Sequence, residues 1–231
     1  MAYQAVIFDL DGVLCHTDEY HYLAWKKLAD SLGLRFDREI NSRLRGVSRM
    51  ESLEIILEQY SGPALTAAEK AALAEKKNDA YRESLKLMSS ADLPEDVKAV
   101  LDILRDRGLR LAIGSSSKNA PFILRQLNLS GFFDAVSDGN NITRSKPDPE
   151  VFLKAAELLG LPSKSCLVVE DAVSGAQAGH AGGFNVACVG DAAKAKAGDY
   201  NLDRISELLD VISCGETEQQ IASAADLQRN K

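Results

Sequence analysis

Two aspartates, Asp9 and Asp11, stand one residue apart directly after an apolar run near the start of the chain. The run, Val6 to Phe8, is typical of a strand that is buried on both faces of a parallel sheet. Aspartate is disfavoured in strands and is seldom buried without a partner, so the pair needs a physical reason. A Mg²⁺ ion and a phosphate would supply one, because ligands of open α/β sheets bind at the carboxyl ends of strands. The alternative is that both acids cap a turn in which Gly12 has a positive φ.

A second acidic pair, Glu170 and Asp171, also follows an apolar run. Two such strand ends in one sheet can converge on one cation, which offsets the repulsion among crowded carboxylates. The pattern therefore predicts that Asp9, Asp171 and Glu170 lie together as a candidate metal site.

Two further segments have residue types that bind anions. Ser115 to Asn119 follow the apolar run Leu111 to Gly114 and lead into a helix at Pro121. Hydroxyls, backbone N–H groups and a helix N-terminus bind anions together, although an ordinary N-cap with spare serines would have the same sequence. Lys146 precedes Pro147 and could neutralise a phosphate, or it could be a solvated surface lysine.

The elements that must position these residues are short strands that alternate with helices. The predicted strands are the first run and Leu109–Gly114, Ala135–Ser137, Cys166–Val169 and Asn185–Val189, and the predicted helices are Glu95–Arg107, Pro121–Asn128, Pro149–Leu159 and Ser174–Ala181. This alternation predicts an α/β fold with a Rossmann-like parallel sheet and helices on both faces.

Residues 16–91 interrupt that alternation with helical periodicity and no convincing strand. Thr17 as N-cap and Gly33 bound a first helix, and capping boxes at Ser48–Glu51 and Thr66–Glu69 begin two more. We therefore predict an inserted all-helical cap domain. The predicted domains are an α/β core of residues 1–15 and 92–231 and a cap with its linkers of residues 16–91, with no function assigned to residues 213–231.

The composition limits the partners. The chain has 231 residues, 45% of them hydrophobic and 26% charged, as in ordinary globular enzymes. A net charge of −7 disfavours nucleic acid or an anionic membrane as the main partner but leaves a small anionic substrate possible. The four cysteines form no Cys-x-x-Cys pair and the three histidines are too dispersed for zinc. With no signal peptide or membrane span expected, we predict a cytoplasmic monomer.

The motifs, taken in order along the chain, resemble those of the haloacid dehalogenase superfamily of phosphotransferases, and the helical insertion resembles its α-helical cap. They are Asp9-Leu10-Asp11-Gly12, Ser115, Lys146 and Glu170-Asp171. The resemblance implies that Asp9 is a nucleophile that forms an aspartyl phosphate and that Asp11 is the general acid and base. It also implies that Ser115 and Lys146 bind the transferred phosphoryl group, and that Mg²⁺ binds to Asp9, Asp11 through its carbonyl, Glu170 and Asp171.

Within that superfamily, the cap segments resemble the β-phosphoglucomutases, which interconvert β-D-glucose 1-phosphate and glucose 6-phosphate through β-glucose 1,6-bisphosphate. The resemblance implies that Arg49 holds the phosphate that is not transferred, and that His21 and Lys77 position Asp11 and the sugar. The substrate-binding residues that it implies are Thr17, His21, Trp25, Gly46, Val47, Ser48, Arg49, Ser52, Lys77, Ser116, Ser117, Lys118 and Asn119.

Other interpretations of these residues and of the activity stay open. Arg49 and Lys77 could be solvated cations, and the ring of His21 could pack on Trp25 one helical turn later. A sugar-phosphate phosphatase would use the same Asp9 chemistry with water as acceptor. An inactive sugar-phosphate-binding module is disfavoured, because every expected catalytic position is filled.

Overall fold

The computed structural model describes residues 3–44 and 47–213, and its centre is a parallel sheet of six strands. The strands are β1 (Ala5–Phe8), β2 (Arg110–Gly114), β3 (Ala135–Ser137), β4 (Cys166–Glu170), β5 (Asn185–Cys188) and β6 (Tyr200–Asn201). Their spatial order is β3-β2-β1-β4-β5-β6, and every neighbouring pair is parallel. The predicted α/β fold with a parallel sheet is confirmed.

Helices cover the sheet and form the segment inserted after β1. They are α1 (Asp18–Ser31), α2 (Arg38–Ser42), α3 (Arg49–Leu57), α4 (Ala67–Leu85), α5 (Glu95–Asp106), α6 (Ala120–Gln126), α7 (Glu150–Leu159), α8 (Val173–Ala181) and α9 (Gly190–Lys194). The helices α2 and α9 and the strand β6 were not predicted, because elements of two to five residues are too short to show periodicity. Within the described residues, no helix has the length and apolar character needed to cross a membrane.

Alternate residues of the central strands face opposite sides of the sheet and enter two apolar clusters. Val6 and Phe8 of β1 pack on the side of α5 and α6, and Ile7 packs on the side of α7 and α8. A third cluster, which includes Trp25, Leu53 and Ala74, contains only residues of the segment inserted after β1. The insertion therefore has a small apolar core of its own, and the predicted domain boundaries stay a prediction.

The strand register determines which side chains meet at the carboxyl edge of the sheet. Phe8 is paired with Ile113 of β2 and with Val169 of β4. The residue after Phe8 must therefore lie beside the ends of both neighbouring strands. Asp9, which donates its backbone N–H to the carbonyl of Val169 at 2.9 Å, takes that position.

Candidate active site

A cavity of 630 Å³ opens at the carboxyl edge of the sheet, between the loops that follow the strands and the inserted helices. Small-molecule sites have volumes of about 300 to 1,000 Å³, so the cavity can hold a sugar with two phosphates. The site residues predicted from sequence that line it are Asp9, Asp11, His21, Trp25, Val47, Ser48, Arg49, Ser52, Lys77, Ser115, Ser116, Ser117, Lys118, Asn119, Lys146, Glu170 and Asp171. Thr17 is fully buried and does not line the cavity, and Gly46 lies outside the described residues.

Lys146 is a buried cation that joins the two acidic motifs. Its Nζ donates to Glu170 Oε1 at 2.5 Å and also to Asp9 Oδ1. Burial alone would lower the pKa of Lys146, but the carboxylates of Asp9 and Glu170 raise it above its ordinary value. The amine therefore stays charged, and its burial excludes the alternative of a solvated surface lysine.

Glu170 holds its carboxylate against the backbone at the end of β4. Its Oε2 accepts from the backbone N–H groups of Asp171 and Ala172, both at 2.9 Å. Gly175 makes room for this carboxylate, since a Cβ there would lie 1.8 Å from Glu170 Oε1. Glu170 therefore anchors Lys146 as well as contributing an oxygen to the acidic cluster.

The acidic cluster fits a hard cation. Ligand oxygens of Asp9, Glu170 and Asp171 lie within 4.8 Å of one another. Gly12 lets the loops after β1 and β4 approach closely, because its φ is +91° and a Cβ would lie 2.2 Å from Asp171 Oδ2. Oxygen donors grouped in this way suit Mg²⁺, which uses one or two carboxylates and leaves other positions to water or phosphate.

Thr17 orients Asp11 rather than capping a helix. Thr17 stands in the N-cap position of α1 but its side chain makes no capping hydrogen bond. The Thr17 hydroxyl donates instead to Asp11 Oδ1. Burial raises the pKa of Asp11, and the hydrogen bond from Thr17 acts in the opposite direction. A carboxyl group with a raised pKa suits proton transfer near neutral pH.

His21 and Lys77 form a buried pair between α1 and α4. Lys77 Nζ lies 2.8 Å from His21 Nδ1, and it sits 4.6 Å and 4.7 Å from the ring centroids of Trp25 and Tyr81. Burial lowers the pKa of Lys77 to about 7, and burial together with Lys77 holds the pKa of His21 well below its usual range. Burial of Lys77 excludes the alternative of a solvated cation. The ring contact of His21 is with Tyr81, at 4.0 Å between centroids.

The loop after β2 presents serines to the cavity. Ser115 Oγ accepts from Ser117 N at 3.1 Å, and Ser117 Oγ accepts from Asn119 N at 3.2 Å, so both hydroxyls stabilise the turn. Within the described residues the buried Oγ of Ser116 has no hydrogen-bond partner. A buried hydroxyl without a partner is costly, so Ser116 points to a ligand at this position.

Cations from the inserted helices and from the loop after β2 line the same cavity. Arg49 begins α3 and pairs with Glu75 at 3.1 Å, and Lys118 is an exposed residue of the loop after β2. Burial lowers the pKa of Arg49, and Glu75 counteracts the change. A guanidinium remains charged under such conditions. The cavity therefore has positive groups near the inserted helices in addition to Lys146 at its base.

The prediction of site residues missed Glu75 and Asn78, which line the cavity with Ala71 and Ala74. These four residues recur at the spacing of one face of α4, and that periodicity is a signal the sequence contains. Asn78 is buried and accepts a hydrogen bond of 2.9 Å from Asn119 Nδ2, which joins the inserted helices to the loop after β2.

Comparisons with known proteins agree with this geometry. Residues 3–183 match the family model of the haloacid dehalogenase-like hydrolases. The chain is 39% identical over 207 residues to a β-phosphoglucomutase of Bacillus subtilis (strain 168), covering 89% of this chain and 91% of the relative. It is 30% identical to a phosphorylated carbohydrates phosphatase of Thermotoga maritima, covering 78% and 82% of the two chains.

The fold has a close match among solved structures. The crystal structure of a β-phosphoglucomutase from Clostridium difficile superposes with a TM-score of 0.86 at 33% identity, covering 95% of this chain and 99% of that one. The chain belongs to the haloacid dehalogenase-like hydrolase family and is a homologue of β-phosphoglucomutases.

Proposed function

We propose that this family member is a β-phosphoglucomutase that interconverts β-D-glucose 1-phosphate and glucose 6-phosphate through β-glucose 1,6-bisphosphate. The observation that carries the proposal is a single cavity with two cationic regions, Lys146 beside Asp9 and Arg49 with Lys118 farther out. A ligand with a phosphate at each end needs both regions. Arginine suits the phosphate that stays in place, because its guanidinium binds two oxygens at once.

The proposal gives Asp9 and Asp11 separate roles in the reaction. An Asp9 carboxylate oxygen attacks phosphorus, the bond from phosphorus to the sugar oxygen breaks, and Asp11 donates its proton to that oxygen. In the second half-reaction Asp11 removes a proton from the sugar hydroxyl, which attacks the aspartyl phosphate and releases Asp9. Lys146 and Ser115 neutralise and orient the transferred group, and Thr17 keeps Asp11 in place.

The acidic cluster supports a requirement for Mg²⁺. Asp9, Asp171 and the backbone carbonyl of Asp11 would hold the ion, with Glu170 beside them. When bound, Mg²⁺ would neutralise negative charge on the phosphoryl oxygens and so reduce their repulsion of a carboxylate nucleophile.

Water competes with the sugar hydroxyl for the aspartyl phosphate, so the inserted helices must decide between transfer and hydrolysis. The buried hydrogen bond from Asn119 to Asn78 joins these helices to the core beside the cavity. Helices that are joined to the core limit the entry of water, which supports a sugar hydroxyl as the acceptor.

A coupled assay tests the proposal. The protein is given β-glucose 1-phosphate, Mg²⁺ and a trace of β-glucose 1,6-bisphosphate, and glucose 6-phosphate and inorganic phosphate are measured separately. A mutase forms glucose 6-phosphate much faster than inorganic phosphate. Rapid phosphate release without isomerisation would instead support a sugar-phosphate phosphatase, which the similarity to the Thermotoga maritima phosphatase makes the second candidate.

A further inference from the structure

Glu75 is an acid in a cavity that, by the proposed function, binds a ligand with two phosphates. Its Oε2 lies 3.1 Å from Arg49 Nη1, and Arg49 is a cation assigned to the phosphate that is not transferred. The side chain of Glu75 is 60% exposed, against 25% for Arg49, so the carboxylate can turn into solvent at little cost.

Asn78 contacts the other oxygen of the Glu75 carboxylate. Asn78 Nδ2 donates to Glu75 Oε1 at 3.2 Å, and Asn78 Oδ1 accepts from Asn119 Nδ2 at 2.9 Å. A continuous chain of contacts therefore runs from Arg49 through Glu75 and Asn78 to Asn119. Arg49 and Asn119, the two ends of this chain, are both among the substrate-binding residues that the family resemblance implies, and Glu75 stands between them.

A sugar phosphate carries close to two negative charges at neutral pH, and it must displace the Glu75 carboxylate to accept a hydrogen bond from Arg49 Nη1. The displaced carboxylate also repels the phosphate. Both effects weaken binding at this end of the cavity and leave the end at Lys146 unchanged. A mutase intermediate must turn round between half-reactions, so weaker binding at one end speeds its release.

We propose that Glu75 competes with the second phosphate of a bisphosphate ligand for Arg49 and so sets how quickly that ligand is released. Glu75 is a residue that controls affinity and does not take part in the bond-making steps. The inference rests on the proposed function.

The test is the binding of β-glucose 1,6-bisphosphate with Mg²⁺ to protein that carries Asp9→Asn, which prevents turnover. We expect Glu75→Gln to lower the dissociation constant about threefold to fivefold, which is the scale of an exposed ion pair, through slower dissociation. Glu54→Gln is the matched control, because Glu54 is a similarly exposed acid of the inserted helices that pairs with Lys70, and neither residue lines the cavity. It should leave the constant unchanged.

A double-mutant cycle separates competition for Arg49 from a general change of charge. The gain from Glu75→Gln should disappear when Arg49 is alanine. Unchanged or weaker binding by Glu75→Gln, or a gain that persists without Arg49, would overturn the inference alone. A failure of the Asp9→Asn protein to bind the bisphosphate at all would overturn the proposed function together with it.

Discussion

The amine of Lys77 lies in a buried site that disfavours its charged form. Two aromatic rings and the imidazole of His21 surround its Nζ, and the side chain is 3% exposed. Burial lowers the pKa of Lys77 to about 7, so near neutral pH a fraction of the folded molecules holds a neutral amine. In either form Nζ can donate to an unprotonated His21 Nδ1, which fits the lowered pKa of that ring.

This pKa predicts a dependence of stability on pH. The unfolded chain keeps the Lys77 proton up to about pH 10.4, whereas the folded chain loses it above about pH 7, so the unfolded state binds more protons between these values. The free energy of unfolding should therefore rise with pH in this window, relative to Lys77→Met, by up to about 1.4 kcal/mol per pH unit.

Urea denaturation of both proteins from pH 7 to pH 9 measures this difference. The methionine variant removes the titrating group and keeps a long flexible side chain, so the other titrations cancel in the comparison. Parallel pH profiles for the two proteins would show that Lys77 keeps its proton in the fold.

The residue types of the candidate active site were predictable from sequence, but the hydrogen-bond partners of these residues were only partly predictable. Asp9 and Asp171 could be paired because both follow apolar strands of one sheet. Thr17 was predicted as an N-cap from its position, and the structure gives its hydroxyl to Asp11. The Thr17 hydroxyl could cap the helix or donate to Asp11, and the choice depends on how closely Thr17 approaches Asp11 in the folded chain.

At the scale of elements, the capping boxes were the most reliable signals. Ser48 Oγ accepts from Glu51 N at 3.3 Å, and Thr66 Oγ1 accepts from Glu69 N at the same distance. Both motifs act within one turn of a single helix, so local sequence determines them. Short elements such as α2 depend on packing with the rest of the molecule, and they were missed.

These two caps allow a matched comparison. Ser48→Ala and Thr66→Ala should each lower the free energy of unfolding by about 1 kcal/mol, because each leaves a helix N-terminus without its acceptor. Ser48 lines the cavity and Thr66 does not, so only Ser48→Ala should also raise KM for β-glucose 1-phosphate, by about twofold to tenfold for one hydrogen bond. Denaturation curves and initial rates measure the two effects. Equal KM values for both variants would exclude a substrate contact by the Ser48 hydroxyl.

At the scale of the whole molecule, the carboxyl edge of the sheet contributes Asp9 and Lys146 to the cavity, and the inserted helices contribute Arg49. The parallel sheet and the insertion were predictable because periodicity and helix caps are local patterns. The contact of Asn78 with Asn119 and the pairing of Glu75 with Arg49 join segments distant in sequence. Such contacts depend on how α4 packs, and the spacing of residues along one helix indicates only which of them share a face.

The proposed mutase activity requires that a sugar hydroxyl, rather than water, accepts the phosphoryl group from Asp9. Phosphorus NMR of the reaction of β-glucose 1-phosphate in water labelled with ¹⁸O tests it in one sample, because hydrolysis of an aspartyl phosphate by attack at phosphorus adds a labelled oxygen to the phosphate released. For a mutase we expect glucose 6-phosphate as the main product, with no label in its phosphate. Labelled inorganic phosphate as the main product would contradict it.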